Sequence, residues 1–139
     1  MATELKVVMF TDQVKSTPNT ARRTPAEIEQ VAREHDELTA EVVRQCRGTR
    51  LKDTGDGAFA EFRSCADAVR SGFILQQRVK AYNEAQTNDH LRFELHIGID
   101  FGDAVVLPNG DLRASGFSVR VRPFWTEARD GADPYWGPA

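Results

Sequence analysis

A Gly-Asp-Gly triplet constrains the fold of this 139-residue chain more than any other short stretch of it. The triplet lies within LKDTGDGAFAEF, residues 51–62, between two short runs in which apolar and polar side chains alternate. Such alternation is typical of paired β-strands, and glycine supplies the tight turn that joins them. The stretch therefore predicts a β-hairpin with Asp56 at its tip.

A second carboxylate follows an apolar run near the N-terminus. Residues 6–12, KVVMFTD, predict a buried strand that ends on Asp12. Ligands of α/β-type sheets usually bind beyond the C-terminal ends of strands. Asp12 and Asp56 could therefore share one ion.

Size and composition favour a single soluble domain. A chain of this length with 40% hydrophobic residues can bury one core. The net charge of -3 gives no global basic field for nucleic acid or an anionic membrane. No apolar run approaches the roughly 20 residues of a membrane helix, and no leader pattern is present, so we expect a cytoplasmic protein. Cys46 and Cys65 lack metal or disulfide spacing and are interpreted as reduced thiols.

The remaining elements follow from caps and periodicity. Residues 24–27, TPAE, predict the start of a long helix that ends before Gly48, and residues 64–67 predict a second helix that fades after Asn83. Residues 91–100 predict a strand that turns at 101–103 into a further strand at 104–107, and residues 108–111, PNGD, predict the next turn. The stripes predicted to face the core are Ile28, Val31, His35, Leu38, Val42 and Val43 in the first helix and Ala68, Val69, Phe73, Ile74, Leu75, Val79 and Tyr82 in the second.

Three motifs in this order resemble the catalytic domain of class III nucleotidyl cyclases. They are FTDQVKST at residues 10–17, the hairpin stretch at residues 51–62 and HIGIDFGD at residues 96–103. They are similar to that family's FTDxxxST, KxxGDGxxxxF and HIGIxxGxxV patterns. The resemblance implies an α+β, ferredoxin-like βαββαβ fold with an antiparallel-rich sheet and helices packed on one face. It also implies a head-to-tail dimer with active sites at the subunit interface.

The resemblance assigns the metal and phosphate sites. Asp12 and Asp56 would be the ligands of two Mg²⁺ or Mn²⁺ ions, since Mg²⁺ is held by one or two carboxylates together with substrate phosphates. Backbone donors after Asp12 would bind the β- and γ-phosphates of a nucleoside triphosphate, although an ordinary helix cap is the alternative. The phosphate-binding residues would be Gln13, Val14, Lys15, Ser16 and Thr17.

Base recognition in the family depends on a lysine before the Gly-Asp pair and an aspartate after the last hairpin, both contributed to the partner's site. Lys52 matches that lysine, and Asp111 is the candidate for the aspartate. A cation and a carboxylate together can read the ring-nitrogen acceptor and the exocyclic amino donor of adenine. The pair therefore favours ATP. In a chain without the other motifs, Lys52 would be a solvated strand lysine and Asp111 a turn residue.

The chain departs from the family pattern after Asp111. The family has DxxGxxVNxAAR on a helix, where the Asn orients the ribose and the Arg stabilises the pentavalent phosphorus. This chain has DLRASGFSVRVR at residues 111–122. Aligned without a gap, Ser118 replaces the Asn and Arg122 keeps the Arg, which makes these two the candidate catalytic residues.

A second alignment of the same segment stays open. Anchoring on Gly116 puts Arg120 at the Asn position and Phe124 at the Arg position, which would remove both groups. The β-branched residues between 118 and 122, followed by Pro123, disfavour a regular helix. Residues 118–122 could form a strand or a helix, and these residues make the regular helix of the family pattern the less favoured of the two.

We predict one cyclase homology domain over residues 1–122, incomplete at its C-terminal end, and an irregular, divergent tail over residues 123–139. The predicted function is a phosphorus-oxygen lyase of intracellular signalling that converts a nucleoside triphosphate, with ATP favoured, to its 3′,5′-cyclic monophosphate and pyrophosphate. The divergent segment is expected to impair activity. A GTP, CTP or UTP cyclase is one alternative, and a non-catalytic nucleotide-binding partner in a heterodimer with a complete cyclase is another. A third is a ferredoxin-like fold whose two aspartates are ordinary turn residues.

Overall fold

A computed structural model describes residues 3–14, 18–53, 57–106, 112–114 and 117–121, with side chains described for residues 7–14, 20–50 and 58–100. The chain begins with strand β1 (Thr3–Gln13), the short helix α1 (Pro18–Arg22) and the long helix α2 (Pro25–Gln45). Strands β2 (Thr49–Asp53) and β3 (Gly57–Phe62) follow, then helix α3 (Cys65–Ala85), a 3-10 turn (Asp89–Leu91) and strand β4 (Leu95–Val106). Two short strands come last, β5 (Leu112–Ala114) and β6 (Phe117–Val121).

One antiparallel sheet joins these strands in the order β2-β3-β1-β4-β5, and β6 also pairs with β4. The chain crosses from β1 by α2 to β2, returns on β3 beside β1, and crosses by α3 to β4 on the other side of β1. This is the predicted α+β, ferredoxin-like βαββαβ arrangement. Residues of α2 and α3 share one core with the sheet, so both helices pack on the same face. We call the opposite face of the sheet the open face.

The predicted starts of both long helices are confirmed. Thr24 Oγ1 accepts the N–H of Glu27 (3.2 Å), and the Glu27 carboxylate accepts the N–H of Thr24 (2.8 Å), which forms a capping box at the start of α2. Ser64 Oγ accepts the N–H of Asp67 (3.1 Å) and caps α3. After α2 the chain turns through Arg47, whose φ of 64° lies in the left-handed region. Helix ends commonly use this conformation.

Alternate residues of β1 divide between the two faces of the sheet. Val7 and Met9 pack in the core against the helices, so Val8 and Phe10 lie on the open face. The core draws on β1, β3, β4 and both helices. Its buried residues are Val7, Met9, Val31, Val42, Val43, Cys46, Ala60, Phe62, Ala68, Leu75, Val79, Phe93, Leu95, Ile97 and Ile99.

The prediction that the stripes face the core is wrong for two residues, Ile28 and Phe73. Ile28 is 54% exposed, because the first turn of α2 packs the polar Glu27 against the residues around the 3-10 turn instead. Phe73 is 53% exposed. It lies two residues before buried Leu75, and about 200° of helical rotation turns it away from the core.

The bounds of β4 differ from the prediction at both ends. The predicted strand began at residue 91 and turned at 101–103. The strand starts at Leu95, because the Asn83 side chain holds both backbone groups of Phe93, donating to its carbonyl oxygen (2.8 Å) and accepting its N–H (3.1 Å). It then runs unbroken to Val106, paired with β1 along its length. That continuous ladder keeps residues 101–103 in the strand. The turn predicted at residues 108–111 lies outside the described residues.

The C-terminal strands extend the sheet beyond β4. Ala114 lies opposite Ala104 and Phe117 opposite Phe101, so β5 and β6 keep one register along β4. Of the two predictions for residues 118–121, the strand is therefore correct. The predicted tail at 123–139 lies outside the described part of the chain. Within the described part, no helix is both long and apolar enough to span a membrane.

Candidate functional site

The two strands beside β1 frame an exposed carboxylate, Asp12. Its neighbour Thr11 is buried with the helices, so Asp12 lies on the open face. It pairs with Gly57 of β3 on one side and with His96 of β4 on the other. Gly57 directly follows Asp56 in the chain. Asp56 itself lies outside the described residues, but the register sets the end of β1 against the start of the strand that follows it.

His96 is a neighbour of Asp12 that the sequence analysis did not assign to the site. Leu95, Ile97 and Ile99 of β4 are buried with the helices, which leaves His96 exposed on the open face opposite Asp12. Directly opposed side chains of antiparallel strands have Cβ atoms about 4.5–5.5 Å apart. The alternation of apolar residues from 95 to 99 was the signal that could have placed His96 on that face.

An aromatic pair covers the open face next to Asp12. The rings of Phe10 and Phe59 are 6.1 Å apart between centroids and tilted by 41°. Gly98 makes room for Phe10, because a Cβ at Gly98 would lie 2.1 Å from the Phe10 ring. Phe59 is 38% exposed, so part of this aromatic surface faces solvent. On the same face, burial raises the pKa of Asp100, which lies opposite Val8.

Strand β2 contains an irregularity that its residue pattern does not reveal. Arg50 pairs with Ala60, but Lys52 pairs with Phe59, so the register shifts between them. Ala60 is part of the helix-packed core, and Arg50 forms an ion pair with Asp36 of α2. Phe59 belongs to the open face. The shift therefore gives Lys52, whose side chain is not among those described, a strand partner on the face that carries Asp12.

A buried polar pair lies directly beneath the end of β1. Thr11 Oγ1 and His35 Nε2 are 2.8 Å apart, and the two residues are 3% and 4% exposed. The His35 ring also lies 6.1 Å from that of Phe93 between centroids. This confirms the prediction that His35 faces the core. The hydrogen bond ties α2 to β1 at the residue that precedes Asp12.

The other predicted site residues are only partly described. Gln13 and Val14 are half-buried, while Lys15, Ser16 and Thr17 lie outside the described residues. Asp111 and Arg122 also lie outside them. Ser118 lies in β6, opposite Asp100, rather than on the helix that the family pattern has at this point. The described structure thus does not bring Ser118 to the end of β1.

The exposed carboxylate of Asp12 could serve as a ligand of a divalent cation. Asp12 offers the oxygen donor that Mg²⁺ and Mn²⁺ bind, and Mg²⁺ needs only one or two protein carboxylates beside substrate phosphates. Among the described side chains, no group of three or more His, Cys, Asp and Glu residues could hold a metal ion. Asp56, the second predicted ligand, falls in the part that is not described.

Comparison with known proteins leads to cyclases. No family model matches the chain. It is 33% identical over 106 residues to Adenylate cyclase 1 of Rhizobium meliloti (strain 1021), across 70% of this chain and 16% of that protein. It is 34% identical over 76 residues to Putative adenylate cyclase 3 of the same strain, across 55% of this chain and 13% of that protein. The chain thus spans about a sixth of the length of these relatives or less.

Solved structures agree with these relatives. An adenylate/guanylate cyclase/hydrolase from Silicibacter pomeroyi has a TM-score of 0.68 and 26% identity, across 82% of this chain and 65% of that one. The guanylyl cyclase Cya2, at 20% identity and a TM-score of 0.64, covers 99% of this chain and 64% of its own, and supports the fold. The fold is that of a nucleotidyl cyclase catalytic domain. The chain belongs to the class III nucleotidyl cyclase family.

Proposed function

We propose that this chain is a nucleotide cyclase that converts ATP to 3′,5′-cyclic AMP and pyrophosphate by two-metal catalysis at a dimer interface. One observation carries the proposal. Asp12 is exposed at the end of β1 and paired with Gly57, the residue directly after Asp56. This register supports the proposal, because it pairs Asp12 with the residue that directly follows the second motif carboxylate.

The reaction needs an activated ribose 3′-hydroxyl and neutralisation of the charge that grows on the phosphates. Asp12 and Asp56 would hold two Mg²⁺ or Mn²⁺ ions. When bound, such ions would lower the pKa of the attacking hydroxyl and neutralise part of the charge on the phosphates. Residues 13–17 would bind the β- and γ-phosphates. Arg122 and Ser118 of the partner subunit would face the α-phosphate and the ribose.

Selection of ATP rests on Lys52 and Asp111, acting in the partner's site, and on the two relatives named adenylate cyclase. The pairing of Lys52 with Phe59 supports this role, because the Phe59 ring lies on the open face beside Phe10. GTP, CTP and UTP remain the alternative substrates, since two polar groups constrain a base only loosely.

The test is an assay of the purified chain with each of the four ribonucleoside triphosphates, in Mn²⁺ and in Mg²⁺. Cyclic AMP should be the main product, and Asp56→Ala should abolish it. Preference for another base would overturn the choice of ATP. A failure to form any cyclic nucleotide would overturn the catalytic proposal.

A second candidate function is a non-catalytic nucleotide-binding partner of a complete cyclase. The observation that favours it is strand β6, because Ser118 lies in a strand where the family pattern has a helix. Such a chain would bind triphosphate without turnover, and activity would return on adding a cyclase chain with an intact Asn and Arg. Turnover by the chain alone would exclude this alternative.

A further inference from the structure

The connection from β1 to α2, residues 14–23, contains most of the predicted phosphate-binding segment, and its entry is fixed by one backbone contact. The N–H of Val14 donates to the carbonyl oxygen of Glu94 at 2.9 Å. Glu94 immediately precedes β4, the strand that pairs with β1 along its whole length. The start of the connection is therefore held against the approach to β4.

The exit of the connection is fixed by the side chain of Arg23. Its Nε donates to the carbonyl oxygen of His90 and its Nη2 to the carbonyl oxygen of Arg92, both at 2.6 Å. We call residues 90–94 the anchor segment, because it receives both ends of the connection. Five consecutive residues extend at most about 14 Å. The entry and exit anchors must therefore be close together.

The anchor segment is itself firmly attached to the end of α3. Tyr82 Oη donates to the carbonyl oxygen of Leu91 (2.8 Å), and Arg92 Nε donates to the carbonyl oxygen of Asn83 (2.9 Å). The Asn83 side chain binds both backbone groups of Phe93. A connection fastened to this segment is thus fastened to the helix layer rather than to another exposed strand.

The Arg23 guanidinium is suited to this anchoring role. Two of its nitrogens are engaged by backbone carbonyl oxygens, in the fork geometry that an arginine can satisfy and a lysine cannot. The side chain is half-buried, and this burial lowers the pKa of Arg23 despite the opposing effects of Tyr82 and Glu27. A partly desolvated guanidinium needs such acceptors, so the contacts are costly to lose.

We propose that Arg23 is a positioning residue that holds the end of the β1–α2 connection against the anchor segment, and thereby positions the residues proposed to bind the triphosphate. The inference rests on the proposed function for the phosphate role of residues 13–17. Arg23 acts through the connection and does not contact the reacting atoms. Fixing a binding segment in advance raises affinity, because less ordering is left for the ligand to complete. Arg23 should therefore govern triphosphate affinity more than turnover.

The experiment compares Arg23→Lys, Arg23→Ala and wild type by hydrogen–deuterium exchange over residues 13–24 and by the Kd and KM for ATP with Mn²⁺. Both variants should exchange faster over this stretch, by about tenfold or more. Both should also bind ATP about tenfold more weakly, with kcat changed less than about twofold. Arg23→Lys separates anchoring from charge, because a lysine that retained full affinity would indicate a direct contact with phosphate and overturn the proposal.

Arg78→Ala is the matched control. Arg78 also joins two elements, donating to Glu41 and Gln45 at 3.3 Å. These lie at the far end of α2 from Arg23, about 30 Å along the helix. Arg78→Ala should lower global stability about as much as Arg23→Ala does, but residues 13–24 should exchange no faster than in wild type. Unchanged exchange in Arg23→Ala, or equal effects of Arg78→Ala there, would overturn the anchoring. The exchange result needs no nucleotide, so a wild type that fails to bind triphosphate would refute the proposed function and leave the anchoring to be decided by exchange.

Discussion

Two adjacent residues at the end of β1 have opposite surroundings. Thr11 is 3% exposed and hydrogen-bonded into the core, whereas Asp12 is exposed on the open face. A carboxylate that contributes little to folding is free to bind an ion. If Asp12 is such a ligand, its substitution should remove activity and leave the stability of the fold unchanged.

Asp12→Asn tests this separation. The amide keeps the size of the side chain but is a poor metal ligand, so kcat should fall more than about 100-fold. This exceeds the usual effect of substituting a residue that only hydrogen-bonds to a metal ligand. Thermal unfolding should be unchanged, because Asp12 is exposed. Mn²⁺ binding measured by electron paramagnetic resonance should weaken in parallel. A variant with wild-type Mn²⁺ affinity would contradict the assignment of Asp12 as a ligand.

The Thr11–His35 pair predicts the opposite behaviour. Thr11→Val leaves the His35 ring without its 2.8 Å partner in the core, which should destabilise the protein by about 1–3 kcal/mol in urea unfolding. Thr39→Val is the matched control in α2. Thr39 is fully buried, and its Oγ1 has no hydrogen-bond partner within the described structure. Removing that hydroxyl should be neutral or stabilising, and an equal loss in both variants would show that the Thr11 contact contributes nothing specific.

At the scale of elements, the start of α2 is joined to the 3-10 turn through one carboxylate. Besides the capping contact with Thr24, Glu27 accepts from Asn88 Nδ2 at 2.9 Å and lies 3.1 Å from His90 Nδ1. The hydrogen bond from the Thr24 backbone, followed by those from Asn88 and His90, lowers the pKa of Glu27 to about 2. The ionised form of Glu27 therefore links α2 to the residues that precede β4.

This lowered pKa predicts a dependence of stability on pH. Between the ordinary pKa of 4.5 and about 2, the unfolded chain binds more protons at Glu27 than the folded chain does. The contribution is complete above pH 4.5 and is lost as the pH falls through about 2. Urea unfolding of wild type should therefore weaken more steeply with acid in this window than that of Glu27→Gln. Glu29→Gln, which removes an exposed partner of Arg33, should follow wild type, and parallel curves for all three would refute the role of Glu27.

The elements differ in how far their sequences predict them. The helix starts at Thr24 and Ser64 were predictable, because capping depends on neighbouring residues alone. The register shift before Lys52 was not predictable, because a bulge depends on how β2 matches β3 across the sheet. The same limit explains why His96 was not assigned to the site and why a turn was wrongly predicted at residues 101–103. The neighbours of a strand residue come from distant parts of the chain, so the motifs identified Asp12 but not its partner on β4.

At the scale of the whole molecule, the proposed dimer divides each active site between two chains. Asp12 would come from one subunit and Arg122 from the other, so the two residues of a single chain would serve different sites. A mixed dimer of Asp12→Asn and Arg122→Ala chains would then contain one site with both lesions and one intact site. The two inactive variants should therefore restore each other.

Mixing the two variants in equal amounts should recover about a quarter of wild-type activity, since half of the dimers are mixed and each of these has one of its two sites intact. Recovery requires that subunits exchange, so the chains are refolded together and dimerisation is measured by sedimentation. In the control, Asp12→Asn chains are mixed with chains that carry both Asp12→Asn and Arg122→Ala. These dimers have no intact site and should stay inactive. Mixed dimers without recovered activity would show that Asp12 and Arg122 do not complete a shared site, and Arg122→Ala chains that are active alone would remove Arg122 from the site.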